Sequence, residues 1–210
     1  MDFTPEEVRV LGVLIEKELT TPDYYPLTLN SLTTACNQKS NRDPVVDFSE
    51  STVMRALDSL MRRKVVGHAA GGGSRAEKFR HALAEAWGLS EAERAVLSIM
   101  LLRGPQTVGE LRARTGRSHP FESLEEVEAV LAELAAREQP LVTELPVLPG
   151  KKEARHTHLL EGEPDLEAIA ATEPAPARSG SAGLSEEVAE LRERLEALEA
   201  AFEAFKTQFE

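Results

Sequence analysis

The chain has 210 residues, with 24 basic and 36 acidic side chains and a formal net charge of −12; 41% of its residues are hydrophobic and 29% charged. That composition is ordinary for a folded globular protein, and the length admits one large domain or two small ones of roughly 100–150 residues. No apolar run reaches the roughly 18 residues of a membrane span, Met1-Asp2-Phe3-Thr4-Pro5-Glu6-Glu7 is not expected to be a signal peptide, and the lone Cys36 allows neither an internal disulfide nor a two-thiolate zinc site. A reducing cytoplasm is the expected location.

The acidic excess is uneven. Residues 1–83 hold 11 basic and 11 acidic side chains, residues 84–160 hold 9 and 12, and residues 161–210 hold 4 and 13. The total therefore argues against a protein coated in DNA-binding charge, but it leaves residues 1–83 open to such contact.

Thr4-Pro5-Glu6-Glu7 has the spacing of a capping box and opens an apolar period at Val8, Leu11, Leu14, Ile15 and Leu19, which predicts a helix. A short second helix is expected around Thr28–Leu32. A third, over Ser49–Arg63, places Val53, Leu57 and Leu60 on one face. Two β-prone runs, Val65–Ala69 and Glu77–His81, then flank Gly71-Gly72-Gly73-Ser74 and predict a hairpin.

The pattern then repeats. Ser90-Glu91-Ala92-Glu93 caps a helix with Val96, Leu97, Met100 and Leu101. Short and long helices are expected around Thr107–Leu111 and Ser123–Arg137, the latter with Val127, Leu131 and Leu134 inward. A second hairpin follows, Leu141–Leu145 and Ala154–Leu159. Three helices and a hairpin, twice, make the expected fold mainly α with small β-wings (α+β): two tandem winged helix-turn-helix domains, 1–83 and 84–160.

Residues 161–183 are rich in Pro, Ala, Gly and Ser and read as a flexible linker, with one short turn at Asp165–Ala171. Residues 184–210 carry Leu184, Val188, Leu191, Leu195, Leu198, Phe202, Phe205 and Phe209 at alternating spacings of 4 and 3, a heptad seam that needs a partner surface. Opposite charges at the flanking Glu187, Arg192, Arg194 and Glu199 favour a parallel homodimer. Folding back onto the winged domains, or binding another protein, is the alternative.

The connection between the second and third helices is long and polar, with Asn37, Gln38, Lys39, Ser40, Asn41 and Arg42 in succession. Two readings stay open: these side chains bond the backbone of a long turn, or they contact phosphate or a protein partner. The runs Gly12-Val13-Leu14-Ile15-Glu16-Lys17-Glu18, Thr20-Thr21-Pro22-Asp23-Tyr24-Tyr25-Pro26-Leu27 and Ala35–Val45 resemble the YceH-like family of bacterial proteins. The match is dense over residues 8–65 and looser to about residue 160. The resemblance implies a tandem winged-helix architecture in a cytosolic bacterial protein and implies no activity.

The third helix of the first unit is the candidate for a DNA groove. Thr52, Arg55, Ser59 and Arg62 are expected on its outward face, with Arg63 and Lys64 at its end and Arg75, Lys78 and Arg80 on the wing. Glu50 and Asp58 lie on or near the same helix, and a solvated charged face is the other reading. The second unit's third helix carries Glu122, Glu125, Glu126, Glu128, Glu133 and Glu138, which repel phosphate and suit protein contact. His68, His81, His119, His156 and His158 show no metal-ligand spacing, Cys36 has no partner base in sequence, and no phosphate-cradling motif occurs. No enzyme activity, metal, cofactor or small-molecule ligand is expected. Two functions remain: a DNA-binding regulator acting through residues 1–83, or a protein-interaction scaffold resembling the accessory subunits of chromosome-condensation complexes.

Overall fold

Helix α1 (Pro5–Thr20) starts where the sequence places its cap: the Thr4 side chain accepts from the Glu7 amide, and the Glu7 carboxylate accepts from the Thr4 amide. Pro5 at the first helical position gives up no hydrogen bond. Every residue from Glu7 to Glu16 is buried. A helix wet on no side is a central helix, and α1 packs against α2 (Leu29–Cys36) and α3 (Glu50–Arg62) on one side and α5 (Glu91–Arg103) on the other. α5 has its own capping box at Ser90 and Glu93 and is buried from Ala95 to Leu102.

These two helices meet closely at Gly12. A Cβ there would lie 2.9 Å from Leu101 Cβ and 3.1 Å from the Leu102 side chain, so a side chain at this position would push α5 away. Leu11, Leu14 and Ile15 of α1 and Leu97, Met100 and Leu102 of α5 are fully enclosed around it.

The computed structural model describes residues 2–69, 77–147, 152–167 and 169. The described chain is α+β and mostly helical, with seven helices and two small antiparallel sheets among the described residues. A single 3₁₀ turn (Pro22–Tyr24) leads into β1 (Leu27–Thr28). Strands β2 (Val66–His68) and β3 (Lys78–His81) complete a sheet of order β1-β3-β2, with Leu27 opposite Phe79 and Val66 opposite His81. In the second half, α6 (Val108–Thr115) and α7 (Leu124–Ala135) precede β4 (Val142–Leu145) and β5 (Arg155–His158). Gln106 bridges to His156 through both backbone bonds, at 2.9 and 2.7 Å, so a residue just before α6 pairs with the hairpin as β1 does before α2.

Ser49, Thr28, Thr107 and Ser123 cap α3, α2, α6 and α7 as their sequences indicate. Strand β1 and the 3₁₀ turn were not among the expected elements. Nor was α4 (Leu83–Trp87), which spans the expected 83/84 junction and ends at Gly88 with φ 63°. One hydrophobic core runs from Phe3 to Leu160 and takes in both sets of helices. The Phe3 amide donates to the Leu160 carbonyl at 3.0 Å, tying the first residues to the last strand's exit. Beyond that strand, the Ile169 amide donates to the Asp165 carbonyl at 3.0 Å, the start of the turn expected at Asp165–Ala171. The rest of the linker and the whole seam from Leu184 to Phe209 lie outside the described residues, as does Arg75.

The contact at Gly12 makes opposite predictions for two glycines. Gly12→Val is expected to lower the unfolding free energy by roughly 1–3 kcal/mol through overpacking. Gly109 is exposed on α6, and a Cβ there would meet only Thr107 Oγ1, at 3.9 Å. Gly109→Ala is therefore expected to raise the unfolding free energy by up to about 1 kcal/mol. Urea unfolding followed by circular dichroism reads both, and a Gly12→Val protein as stable as wild type would contradict the packing described.

Candidate nucleic-acid interface

The long connection between α2 and α3, residues 37–49, is held from inside. Arg42 is fully buried, and its guanidinium meets the Glu16 carboxylate through two bonds, Nη1 to Oε1 at 3.0 Å and Nη2 to Oε2 at 2.6 Å. The same guanidinium donates to the Ala35 carbonyl, at 3.1 and 3.0 Å, and to Gln38 Oε1 at 3.0 Å. Ala35 is in the last turn of α2, so Arg42 places a cation where the helix dipole and its unpaired carbonyls favour one. Arg9 does likewise from α1, donating to the Cys36 carbonyl at 3.4 Å and the Pro44 carbonyl at 2.6 Å.

Asn41 and Asn37 explain the amides of this segment. Asn41 has φ 56°, in the left-handed region that asparagine tolerates better than most residues, and its Nδ2 donates to Glu16 Oε1 at 2.7 Å. Asn37 takes both backbone groups of Phe48: its Nδ2 donates to the Phe48 carbonyl and its Oδ1 accepts from the Phe48 amide, each at 2.8 Å. Phe48 directly precedes Ser49, the cap of α3, so Asn37 sets where the candidate recognition helix begins. Asp43 extends the tie to the other half of the protein, its amide donating to the Leu102 carbonyl at 2.9 Å. The geometry carries the turn-bonding reading of this loop: Asn37, Gln38, Asn41 and Arg42 point inward, and only Lys39 and Ser40 of the six are exposed.

Burial alone would raise the Glu16 carboxyl. The Arg42 hydrogen bonds and charge outweigh it, helped by Lys17 and Asn41, and hold its pKa below the ordinary carboxylate range. Burial pushes the Cys36 thiol up to about 12, against the pull of Arg42 and Arg9, so this cysteine is a protonated core residue.

On α3, Val53, Ala56, Leu57 and Leu60 are buried. Arg55 and Arg62 are exposed and lie about 10 Å apart along the axis at 1.5 Å per residue. Neither has a carboxylate partner among the described residues; Arg55 donates only to Thr52 Oγ1, at 3.3 Å. The stripe differs from the expected one at two places. Thr52 and Ser59 are half-buried, and Thr52 also serves the cap, 3.0 Å from Ser49 Oγ. Asp58, in contrast, is exposed between the two arginines.

The flanking cations divide. Arg63 lies over the Phe3 ring, 4.4 Å from its centre, and donates to the Asp2 carbonyl at 2.8 Å, so it anchors the N-terminus. Arg80 pairs with Glu85 at 3.0 Å. Lys78 is half-buried on β3, while Lys64 is exposed just past α3. Lys64 has φ 61°; its amide donates to the Met61 carbonyl and the next amide, Val65, to the Leu60 carbonyl. That is a Schellman ending with lysine in the left-handed position usually given to glycine.

Sequence reasoning passed over a second junction. Glu18 of α1 receives His81 Nε2 at 2.8 Å and also Arg94 of α5, while the Leu83 amide donates to His81 Nδ1 at 3.3 Å. A sequence signal was present: a carboxylate placed directly beside the core run of α1 needs a cation or donor to face it if it is partly buried. In the second half, α7 exposes Glu125, Glu126, Glu128 and Glu133, the acidic face expected there. His158 is buried, which lowers its pKa to about 4, and burial lowers that of His156 as well. Among the described residues no group of three or more His, Cys, Asp or Glu side chains could hold a metal ion, and no helix is long and apolar enough to cross a membrane.

These features describe a mostly helical α+β protein with one tightly locked loop and an outward pair of arginines. Residues 3–151 match the family described as "Protein of unknown function, DUF480", and the chain belongs to that family. It is 55% identical over 212 residues to a UPF0502 protein of Geobacter sulfurreducens, covering 97% of this chain and 96% of the relative. It is 57% identical over 171 residues to a UPF0502 protein of Opitutus terrae (81% and 73% covered) and 50% identical over 211 residues to one of Vibrio parahaemolyticus (97% and 98% covered). The YceH-like resemblance of residues 8–65 is consistent with this membership.

Loss of the buried guanidinium leaves Glu16 enclosed without its partner, so Arg42→Ala is expected to reduce stability by about 3–5 kcal/mol at neutral pH. Because the folded pKa of Glu16 is lowered, its contribution is complete above the unfolded value, near 4.3, and is lost as pH falls through the folded value. Acid titration of unfolding should therefore show a shallower loss below about pH 4.3 for Glu16→Gln than for wild type. Equal acid limbs would contradict the pairing.

Proposed function

We propose that the protein is a cytoplasmic, DNA-binding, regulator-like protein built from two tandem winged helix-turn-helix domains, 1–83 and 84–160. In this reading the first domain contacts double-stranded DNA and the second, with residues 184–210, makes protein contacts. The observation that carries it is the exposed pair Arg55 and Arg62 on α3, without carboxylate partners among the described residues, on a helix whose start is fixed by Asn37 and Phe48. The order β1-α2-α3-β2-β3, with a three-stranded sheet behind α3, supports the winged-helix assignment.

Lys64 adds a second support. A non-glycine residue in the left-handed region is disfavoured by roughly 1–2 kcal/mol. The lysine in this position is exposed just past α3, two residues from Arg62. The helix dipole favours a cation at this end, and in this reading Lys64 also meets phosphate. With Arg63, Arg80 and the inward loop side chains engaged by protein groups, this reading keeps the cations Lys39, Arg55, Arg62, Lys64 and Lys78, with Arg75 added from sequence, and the hydroxyls of Ser40, Thr52 and Ser59. Homodimerisation through Leu184–Phe209 belongs to the same proposal and rests on the heptad spacing.

The interaction-scaffold reading has its own observation: Asp58 is exposed between Arg55 and Arg62, and carboxylates dominate the outer face of α7. It predicts no duplex binding.

Fluorescence anisotropy of a labelled random-sequence duplex, titrated from low to physiological salt, separates the two. Five or six phosphate contacts give a log–log slope of about −5, and Arg62→Ala should make it shallower by about 1. Lys64→Gly should move two readouts in opposite directions, raising thermal stability while weakening DNA binding. No binding at low salt, or a slope unchanged by Arg62→Ala, removes α3 from the proposal.

A further inference from the structure

Between α7 and the β4–β5 hairpin runs an open groove of about 670 Å³, within the range of about 300–1,000 Å³ typical of ligand sites. Its helical wall is the outward face of α7, where Leu124, Ala132 and Ala135 stand in near-register at helical spacing. Leu124 is 43% exposed, a large apolar side chain with nothing on it. The opposite wall is Val142 of β4 and Ala154 beside β5. The alanines keep this wall low, so a partner backbone can approach closely.

Among the described residues that line the groove, the carboxylates outnumber any fixed cation. Glu128 of α7, Glu144 of β4 and Glu153, two residues before β5, all line the groove, and His156 sits 3.8 Å from Glu144 without adding a fixed cation. Phosphate is repelled here. An apolar floor between carboxylate rims fits an amphipathic helix whose apolar stripe is flanked by lysine or arginine.

We infer that this groove is the docking site for a basic amphipathic helix of another protein. The inference specifies the protein contact assigned above to the second domain. It is independent of DNA contact by α3.

The test uses the isotope-labelled full chain and a synthetic helical peptide of leucine, alanine and lysine, with leucines at i, i+4 and i+7 and lysines on both flanks. The expected result is saturable binding with amide shifts centred on α7 and the β4–β5 hairpin. Ala132→Arg, a surface change that fills the groove and adds a like charge, should weaken binding about tenfold or more while leaving the circular dichroism spectrum unchanged. Reversing the rim with Glu128→Lys should do the same, and a peptide with glutamate in place of lysine should not bind. The inference is overturned by the absence of binding at millimolar peptide, by shifts confined to residues 184–210 or spread over the acidic surface, or by equal affinity for the two peptides or for wild type and Ala132→Arg. Shifts on α3 with added duplex report the DNA reading separately, so either can fail alone.

Discussion

The bond between Arg42 and Glu16 organises the first half of the molecule. A guanidinium with no exposure is tolerable only when its donors are all answered, and here a carboxylate, a helix-terminal carbonyl and an amide oxygen answer them. The pair fixes the long connection onto the buried helix α1, and the connection fixes α3 through Asn37 and Phe48. Because the neighbouring Asp43 amide reaches the Leu102 carbonyl of α5, the outward arginines are referenced to the second half as well. α1 and α5, in backbone-close contact at Gly12, form the frame to which both hairpins are attached.

What could be read from residues alone was what is local. A capping box is a four-residue pattern, and a helical apolar period needs about three turns; both were legible at Thr4–Leu19, Ser49–Leu60 and Ser90–Leu101. The two-residue strand Leu27–Thr28 has no period to detect, and it exists because Phe79 lies opposite, some fifty residues away. The candidate site was legible in outline for the same reason. Helical spacing put Arg55 and Arg62 outside and Val53, Leu57 and Leu60 inside. It could not show that Thr52 and Ser59 tilt toward the protein, that Arg63 turns back onto Phe3, or that Arg42 and Asn41 converge on Glu16, because each of these depends on a tertiary partner. A carboxylate at position 16, following the apolar run Val10–Ile15 on α1, was the sequence clue to that network.

The charge divides along the same lines. The first half is neutral in sum, and its pairing is selective: Arg9, Arg42, Arg63 and Arg80 bond protein groups, whereas Arg55, Arg62 and Lys64 stand outward at α3. The second half repeats the helix order but answers it with alanine and glutamate on α7. The two halves thus differ in what they turn outward: an arginine pair flanking Asp58 on α3, and carboxylates on α7. This difference is why two separate partners are proposed.

The most direct measurement is the amide spectrum of the labelled full chain with and without a short random-sequence duplex at low salt. Contact as proposed shifts resonances along Ser51–Lys64 and the β2–β3 strands, and leaves Asn37, Asn41, Arg42 and the exposed face of α7 in place. Shifts centred on α7, or no shifts as duplex reaches excess, would contradict it.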